Sequence, residues 1–306
     1  MDKNAAPESG RLISQPISDT SALVLLWCGE EIYLSDAVRQ YAGMLDLTAG
    51  RELLARCHAV WEKYDRVIRY RKLCIAREAK AILQAGEIRQ VVIPGAGYSM
   101  LGIELANQFP GLKVFEIDSS GMRKKRGMVA RLAFAAGSSL ECLEGDVEDH
   151  AGLRNILSDA GWDAGAPTLT IVEGLSYYLS RESALGGWRN LAEGSRVIFE
   201  YLVPYSQVNP QRRDIPRLVF EEIMRYCSFT REFSFWSEEE VRREPGFAME
   251  RCYTLEGIEE SLGESLGSGQ RIFPVRGDGW IEIAVLKSGE ERVDQDRRPD
   301  VHLFMH

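Results

Sequence analysis

The spacing of hydrophobic residues along the chain changes near Gly86. Between about residues 35 and 84, apolar residues recur three and four positions apart, as Leu53, Cys57 and Val60 do. This spacing places them on one face of a helix, so the segment is predicted to be helical. A further helix is predicted to end at Gly86, because glycine suits a C-terminal cap.

Beyond Gly86, short apolar runs alternate with helical stretches. Continuous β-branched and aliphatic runs of this kind indicate parallel strands that are buried on both faces. The alternation predicts a doubly wound α/β sheet. Two later runs are predicted to form an antiparallel pair at the sheet edge. The predicted strands are 90–94, 112–118, 140–146, 167–175 and 195–203, followed by 247–254 and 279–287.

The pattern predicts a single domain over residues 21–288 with two elaborations. A helical cap is expected at about 35–85, and an insertion on the substrate side at about 204–240. Residues 1–20 are polar and predict a flexible leader, and the charged residues 289–306 predict a loose tail.

Charge and cysteine usage exclude several classes of protein. The net charge of −9 argues against a general affinity for nucleic acid or anionic membrane. The basic run Arg123–Arg126 is predicted to be a solvated helix face. Six scattered cysteines without a CxxC pair suggest neither zinc nor a redox dithiol, and they fit a cytoplasmic protein. The apolar run 22–28 is too short to span a bilayer.

A glycine turn follows the first predicted strand in VVIPGAGYSM. Gly95 and Gly97 would let the backbone approach a ligand closely, and the helix behind them offers free N–H groups. The third position of a dinucleotide fingerprint is Met100 instead of glycine, which argues against NAD. Taken alone, the turn is equally compatible with a purely structural role.

Acidic residues end the next two strands. Asp118 is placed to accept the ribose hydroxyls of an adenosine, with Glu116 as the alternative, and Asp146 could reach an adenine amino group. The competing interpretation of Asp118 is a carboxylate that caps the following turn. Because the chain has no Walker sequence, this rim favours S-adenosylmethionine over ATP or NAD.

Four stretches between about residues 68 and 205 carry a more specific likeness. They are YRKLCIAREAKAIL, QVVIPGAGYS, VFEID and PTLTIVEGLSYYLSRESALGGW. Together they resemble the leucine carboxyl methyltransferase family, which includes tetracenomycin-type polyketide O-methyltransferases. The resemblance implies a class I, Rossmann-like methyltransferase fold and S-adenosyl-L-methionine as cofactor.

The resemblance also implies individual roles. Arg71, or its neighbour Arg69, would pair with the carboxylate of the methionyl moiety, for which a guanidinium is suited. Glu173 would lie near the amino group and the sulfonium. Independently of the resemblance, a glutamate that ends the apolar run PTLTIVE is costly unless it has a cationic partner.

The remaining cofactor contacts implied by the likeness come from the strand ends. Gly95 and Gly97 would lie against the cofactor, and Asp118 would hold the ribose. Asp146 and Val147 would border the adenine.

The methyl acceptor is less well defined. A carboxylate is already ionised at pH 7 and needs no base, whereas an alcohol or phenol usually does. None of the four histidines falls at a predicted strand end, which favours carboxylate methylation of a small metabolite. Tyr178 and Tyr201, together with Tyr177 and Tyr205, are candidates for orienting the acceptor; the alternative is that they are core aromatics.

Three other functions remain open at this stage. The acceptor atom could be a hydroxyl, sulfur or nitrogen. The chain could instead be a non-catalytic adenosine-binding scaffold, although Arg71, Asp118 and Glu173 are all present. A dehydrogenase is disfavoured by Met100. In the leading hypothesis the partner is a small-molecule acceptor, with neither nucleic acid nor membrane involved.

Overall fold

The computed structural model describes residues 15–29, 32–227, 232–262 and 271–288. Most of the predicted leader and all of the predicted tail therefore lie outside the described residues. A two-residue parallel bridge joins Gln15–Pro16 to Leu45–Asp46.

One seven-stranded sheet forms the centre of the fold, and it confirms the predicted fold class. Its first five strands run parallel, and the last strand pairs antiparallel with both of its neighbours. The spatial order is β3-β2-β1-β4-β5-β7-β6. The strands are β1 Gln90–Pro94, β2 Lys113–Asp118, β3 Ser139–Glu144, β4 Thr168–Val172, β5 Arg196–Leu202, β6 Phe247–Thr254 and β7 Ile281–Ser288.

Burial on both faces explains the continuous apolar runs. Every residue of β1 and of β4 is buried. The strand order reverses between these two neighbours, because β2 and β3 extend to one side of β1 and β5 to the other. In open α/β sheets this reversal opens a crevice beyond the carboxyl ends of the strands, where ligands bind.

The helices of the described residues surround this sheet. They are α1 Asp19–Cys28, α2 Asp36–Ala42, α3 Gly50–Val60, α4 Tyr64–Gln84, α5 Leu101–Gln108, α6 Met122–Val129, α7 His150–Asp159, α8 Arg181–Leu185, α9 Asp214–Cys227, α10 Glu238–Arg242 and α11 Leu255–Leu262. Short 3₁₀ turns occupy Ser176–Tyr178, Gly186–Trp188 and Tyr205–Gln207.

Helix α1 was not anticipated by the hydrophobic pattern. Its buried residues, including Leu23, Leu25 and Trp27, are not confined to one stripe, so no helical period marks it in the sequence. It packs against α3, α4 and α9, and these contacts cover it on several sides. A helix covered in this way can be apolar around most of its circumference.

The basic run Arg123–Arg126 is not the uniform solvated face that was predicted. Lys125 is fully buried, and its Nζ lies 2.7 Å from the Glu116 carboxylate, which is also fully buried. Arg126 donates a hydrogen bond to the Cys142 carbonyl. Arg123, with 89% of its side chain exposed, has the predicted environment, and Arg126 is also exposed apart from this bond.

No helix in the described ranges is long and apolar enough to cross a bilayer.

The contrast between Lys125 and Arg123 gives a test of the fold. Breaking one side of a buried ion pair leaves an uncompensated charge, so we expect Lys125→Met to lower the free energy of unfolding by about 3–5 kcal/mol. Arg123→Met, in the same helix, should change it by less than about 0.5 kcal/mol. Urea unfolding followed by circular dichroism measures both values. Equal losses in the two variants would contradict the assignment of Lys125 to the core.

Candidate functional site

A cavity of about 1000 Å³ lies beyond the carboxyl ends of the parallel strands. The crevice between β1 and β4 opens into it, and α1, α4 and α9 contribute to its walls. All seven residues proposed from the sequence as cofactor contacts line this one cavity. They are Arg71, Gly95, Gly97, Asp118, Asp146, Val147 and Glu173.

The glycine turn after β1 requires a left-handed backbone and little side-chain volume. Gly95 has φ = 63°, and a Cβ atom there would lie 2.8 Å from the Cδ1 of Leu175. Gly97 has φ = 49°, and its N–H donates a 2.9 Å hydrogen bond to the Oδ2 of Asp118. The strand-end carboxylate therefore holds the turn while its other oxygen stays toward Ser119, 3.4 Å away.

Lys125 binds the same turn from the side that faces away from the cavity. Its Nζ donates to the carbonyls of Gly97, at 3.1 Å, and Ser99, at 2.7 Å, in addition to its pairing with Glu116. The three donors of this ammonium thus have three acceptors. The backbone of the turn is fixed by Lys125 beneath it and by Asp118 beside it.

Arg71 reaches the cavity from the middle of α4. Its Nη1 lies 2.5 Å from Glu200 in β5 and donates to the Tyr177 hydroxyl at 3.3 Å. Burial lowers the pKa of Arg71, but Glu200, followed by Tyr177 and Glu173, raises it well above its ordinary value. Arg71 is therefore a permanent cation in the wall of the cavity.

Glu173 has the cationic partner that its position in an apolar run demanded. The Nζ of Lys72 lies 2.5 Å from its Oε1, and the Nη2 of Arg71 lies 4.0 Å from the same oxygen. Burial raises the pKa of Glu173, but Lys72 and then Arg71 outweigh it and hold the pKa below its usual value. Glu173 is thus a carboxylate at neutral pH.

The opposite end of the cavity is formed by the turn after β3. Asp146 accepts the N–H of Glu148 at 2.9 Å, which closes the turn, and the half-buried Val147 contributes an apolar surface beside it. An acid and an apolar side chain thus lie next to each other in this part of the cavity lining.

The two tyrosines proposed to orient an acceptor have different environments. Tyr178 lines the cavity, with its ring 4.8 Å from that of Tyr177. Tyr201 does not line it, which corrects the expectation, because successive side chains of β5 point to opposite faces. Glu200 faces Arg71, while the Tyr201 hydroxyl donates a 2.6 Å hydrogen bond to Glu282 of β7. Tyr201 is a core aromatic.

Comparison with known proteins agrees with this geometry. The profile of the family described as leucine carboxyl methyltransferase matches residues 33–186, which is half of the 306-residue chain. The chain belongs to the leucine carboxyl methyltransferase family. The match contains Arg71, the glycine turn, Asp118 and Glu173.

Three known proteins resemble this chain in sequence or in fold. A protein of Mycolicibacterium paratuberculosis named "Putative S-adenosyl-L-methionine-dependent methyltransferase" is 34% identical over 139 residues, which cover 44% of this chain and 43% of the relative. The chain thus matches less than half the length of that relative. A DUF574 family protein from Streptomyces avermitilis has the same fold with a TM-score of 0.58 at 15% identity, covering 89% of this chain and 98% of its own. A protein from Thermobifida fusca YX named "putative methyltransferase" also gives 0.58, at 17% identity, with 85% and 97% covered.

Two charged residues of the site, Lys72 and Glu200, were not predicted from the sequence. Lys72 was hidden beside Arg71 on α4. Glu200 could have been found, because RVIFEYL in β5 is an apolar run with one glutamate, as TLTIVE is for Glu173. The argument that a buried carboxylate needs a cation applies to both runs.

The glycine turn can be tested with two Gly→Ala variants that should change the stability of the protein in opposite directions. We expect Gly95→Ala to destabilise the protein by about 1–2 kcal/mol, because alanine is strained at positive φ and Leu175 must move. Gly127→Ala places a methyl group in open space within α6, and it should stabilise by roughly 0.5–1 kcal/mol. Thermal unfolding of both variants measures the two shifts. A neutral Gly95→Ala would show that the turn does not need glycine.

Proposed function

We propose that this protein is an S-adenosylmethionine-dependent methyltransferase that methylates a carboxylate oxygen of a small metabolite. One observation carries the proposal. Arg71, Gly95, Asp118, Asp146 and Glu173 come from five different segments, yet all line one cavity at the switch point of the sheet. Their order along the rim is the order expected for a methionyl group, a sugar and an adenine.

The donor set of the cavity fits this cofactor. The Nε of Arg71 is buried and has no hydrogen-bond partner in the described part of the chain, so it is available to a carboxylate. Glu173 would hold the amino group, and Asp118 the ribose. Gly95 and Gly97 leave room for close approach of the ligand to the backbone.

The bound cofactor supplies an electrophilic methyl group on a sulfonium. The residues of this chain then have to orient the acceptor and exclude water, and orientation of this kind can contribute roughly 7–11 kcal/mol to catalysis. Helices α1 and α9 wall the cavity opposite the strand ends, with Val24 and Leu25 on the first and Ile223 and Met224 on the second. These apolar side chains favour removal of water from the reacting groups.

Two features support a carboxylate as the acceptor. Among the described residues that line the cavity there is no histidine. Burial also raises the pKa of the Tyr177 and Tyr178 hydroxyls, so neither phenol is a base near neutral pH. A carboxylate acceptor would need no base, because it is already ionised at neutral pH and no proton would have to be removed.

Cofactor binding tests the first part of this proposal. We expect S-adenosylhomocysteine to bind the purified protein, and Asp118→Asn to weaken that binding by roughly 10- to 100-fold, because hydrogen bonds to a charged group are lost. Asp36→Asn, an exposed acid of α2, should bind as the wild type does. Isothermal titration calorimetry measures all three affinities. Absence of binding by the wild type would refute the proposed function.

The nature of the product tests the second part. Incubation with cofactor carrying a deuterated methyl group and a mixture of small acids, phenols and amines should label the acids. Mass spectrometry before and after mild alkali distinguishes the outcomes, because methyl esters are cleaved and aryl ethers and N-methyl groups are not. Label that survives alkali would point to a hydroxyl or nitrogen acceptor instead.

A further inference from the structure

Two buried lysines of this protein are satisfied to very different degrees. Lys125 is fully buried and has three acceptors: the Gly97 and Ser99 carbonyls and Glu116. Lys72 has 3% of its side chain exposed, yet its Nζ has one acceptor within the described residues, the Oε1 of Glu173. An ammonium can donate three hydrogen bonds, so two donor positions of Lys72 remain.

Lys72 also differs from Lys125 in what it faces. Lys72 lines the cavity, whereas Lys125 lies behind the glycine turn and does not. Glu173 anchors the Lys72 ammonium at 2.5 Å and so fixes its position at the cavity wall. A buried cation with open donor positions is costly unless something fills them, and here the neighbouring space is the cavity.

The charges around the cavity leave little choice of partner for an anionic acceptor. Among the described lining residues, the cations are Arg71 and Lys72, and the proposed cofactor carboxylate occupies the first. The other charged lining residues would repel an anion. They are Asp19, Asp118, Glu144, Asp146 and Glu148, whereas Glu173 is the acid already paired with Lys72.

Two arginines in or near α9, Arg212 and Arg217, add no positive charge to the cavity lining. Arg212 lies over the Trp61 ring, 5.7 Å from its centroid, and Arg217 is paired with Asp214 and Glu221. Neither lines the cavity.

We propose that Lys72 binds the carboxylate of the methyl acceptor, and that this acceptor is a monocarboxylic acid with an apolar body. The inference rests on the proposed function and makes it more specific. Lys72 acts by holding the acceptor, while the reaction itself needs no proton from it. Glu173 is its positioning partner.

The part of the cavity beside Lys72, where the acceptor is proposed to bind, has several apolar lining residues, and these favour an acceptor with an apolar body. Val24 and Leu25 of α1 face this space together with Leu179, Ile223 and Met224. A second carboxylate on the acceptor would meet these apolar groups, the acid Asp19 or neighbouring hydroxyls such as Ser21, and the described lining residues offer no further cation to pair with it. Desolvating an unpaired charge is strongly unfavourable, so diacids should be rejected.

Three probes of one chain length test this inference: octanoate, the diacid suberate and the neutral 1-octanol. Each is titrated into the full-length protein saturated with S-adenosylhomocysteine, and binding is measured by saturation-transfer NMR. We expect octanoate to bind at least about tenfold more tightly than suberate or octanol, because only octanoate offers one charge-assisted hydrogen-bonding group with an apolar chain.

Variants assign the preference to Lys72. In Lys72→Met the preference for octanoate over octanol should disappear, while the affinity for S-adenosylhomocysteine changes less than about threefold. If loss of the pairing with Glu173 prevents folding, Lys72→Gln removes the charge, keeps a hydrogen-bond donor for Glu173 and gives the same acid-versus-alcohol comparison. Lys80→Met, a lysine of the same helix that pairs with Glu104 away from the cavity, should retain the preference.

The outcomes separate the two levels of the proposal. Failure of S-adenosylhomocysteine to bind the wild type would refute the proposed function itself. Binding of S-adenosylhomocysteine with no preference for octanoate would overturn only the inference on Lys72. A large loss of S-adenosylhomocysteine affinity in Lys72→Met, with the octanoate preference intact, would assign Lys72 to the cofactor instead.

Discussion

Two ion pairs buried at the carboxyl ends of β4 and β5 constrain the whole site. Glu173 follows β4 and Glu200 lies near the end of β5. Neither could remain ionised there alone, because desolvating a charge costs several kcal/mol. Arg71 and Lys72 supply the opposite charges from consecutive positions of α4. Helix α4 must therefore lie across these strand ends, next to the cavity where the ligand is proposed to bind.

The same helix is attached to the C-terminal part of the chain by a third buried carboxylate. Glu259 of α11 accepts hydrogen bonds from the Tyr70 hydroxyl at 2.9 Å and from the backbone N–H groups of Ile272 and Phe273 at 2.9 and 2.7 Å. Arg66 completes the cluster at 3.2 Å. Helix α4 thus connects the parallel half of the sheet, the antiparallel edge and the cavity through paired polar groups.

The pattern of hydrophobic residues alone was enough to predict the positions of the seven strands. Strands β1 and β6 have the predicted bounds, and the others differ by up to three residues at an end, because glycines and polar residues terminate pairing before the apolar run ends. At Gly174, for example, φ = 65° turns the chain beyond Val172. Helix α1 escaped prediction because a helix covered on several sides has no period to detect.

The site divides into what local sequence reveals and what only the tertiary structure brings together. Asp118 and Glu173 were recognisable because strand ends converge on one rim in any such sheet. Lys125 was assigned to solvent because its neighbours in the basic run are polar, and only its position against β2 shows the pairing with Glu116. Which face of β5 carries Glu200, and which Tyr201, depends on how the strand is oriented in the sheet, and the sequence does not show that.

The family match ends short of two walls of the cavity. It covers residues 33–186, whereas α1 precedes this range and α9 follows it. The rim that would hold the nucleoside and the walls that would receive the acceptor are therefore encoded in separate stretches of the chain. Substitutions in these two helices could therefore change the shape of the acceptor chamber while the residues of the rim stay the same.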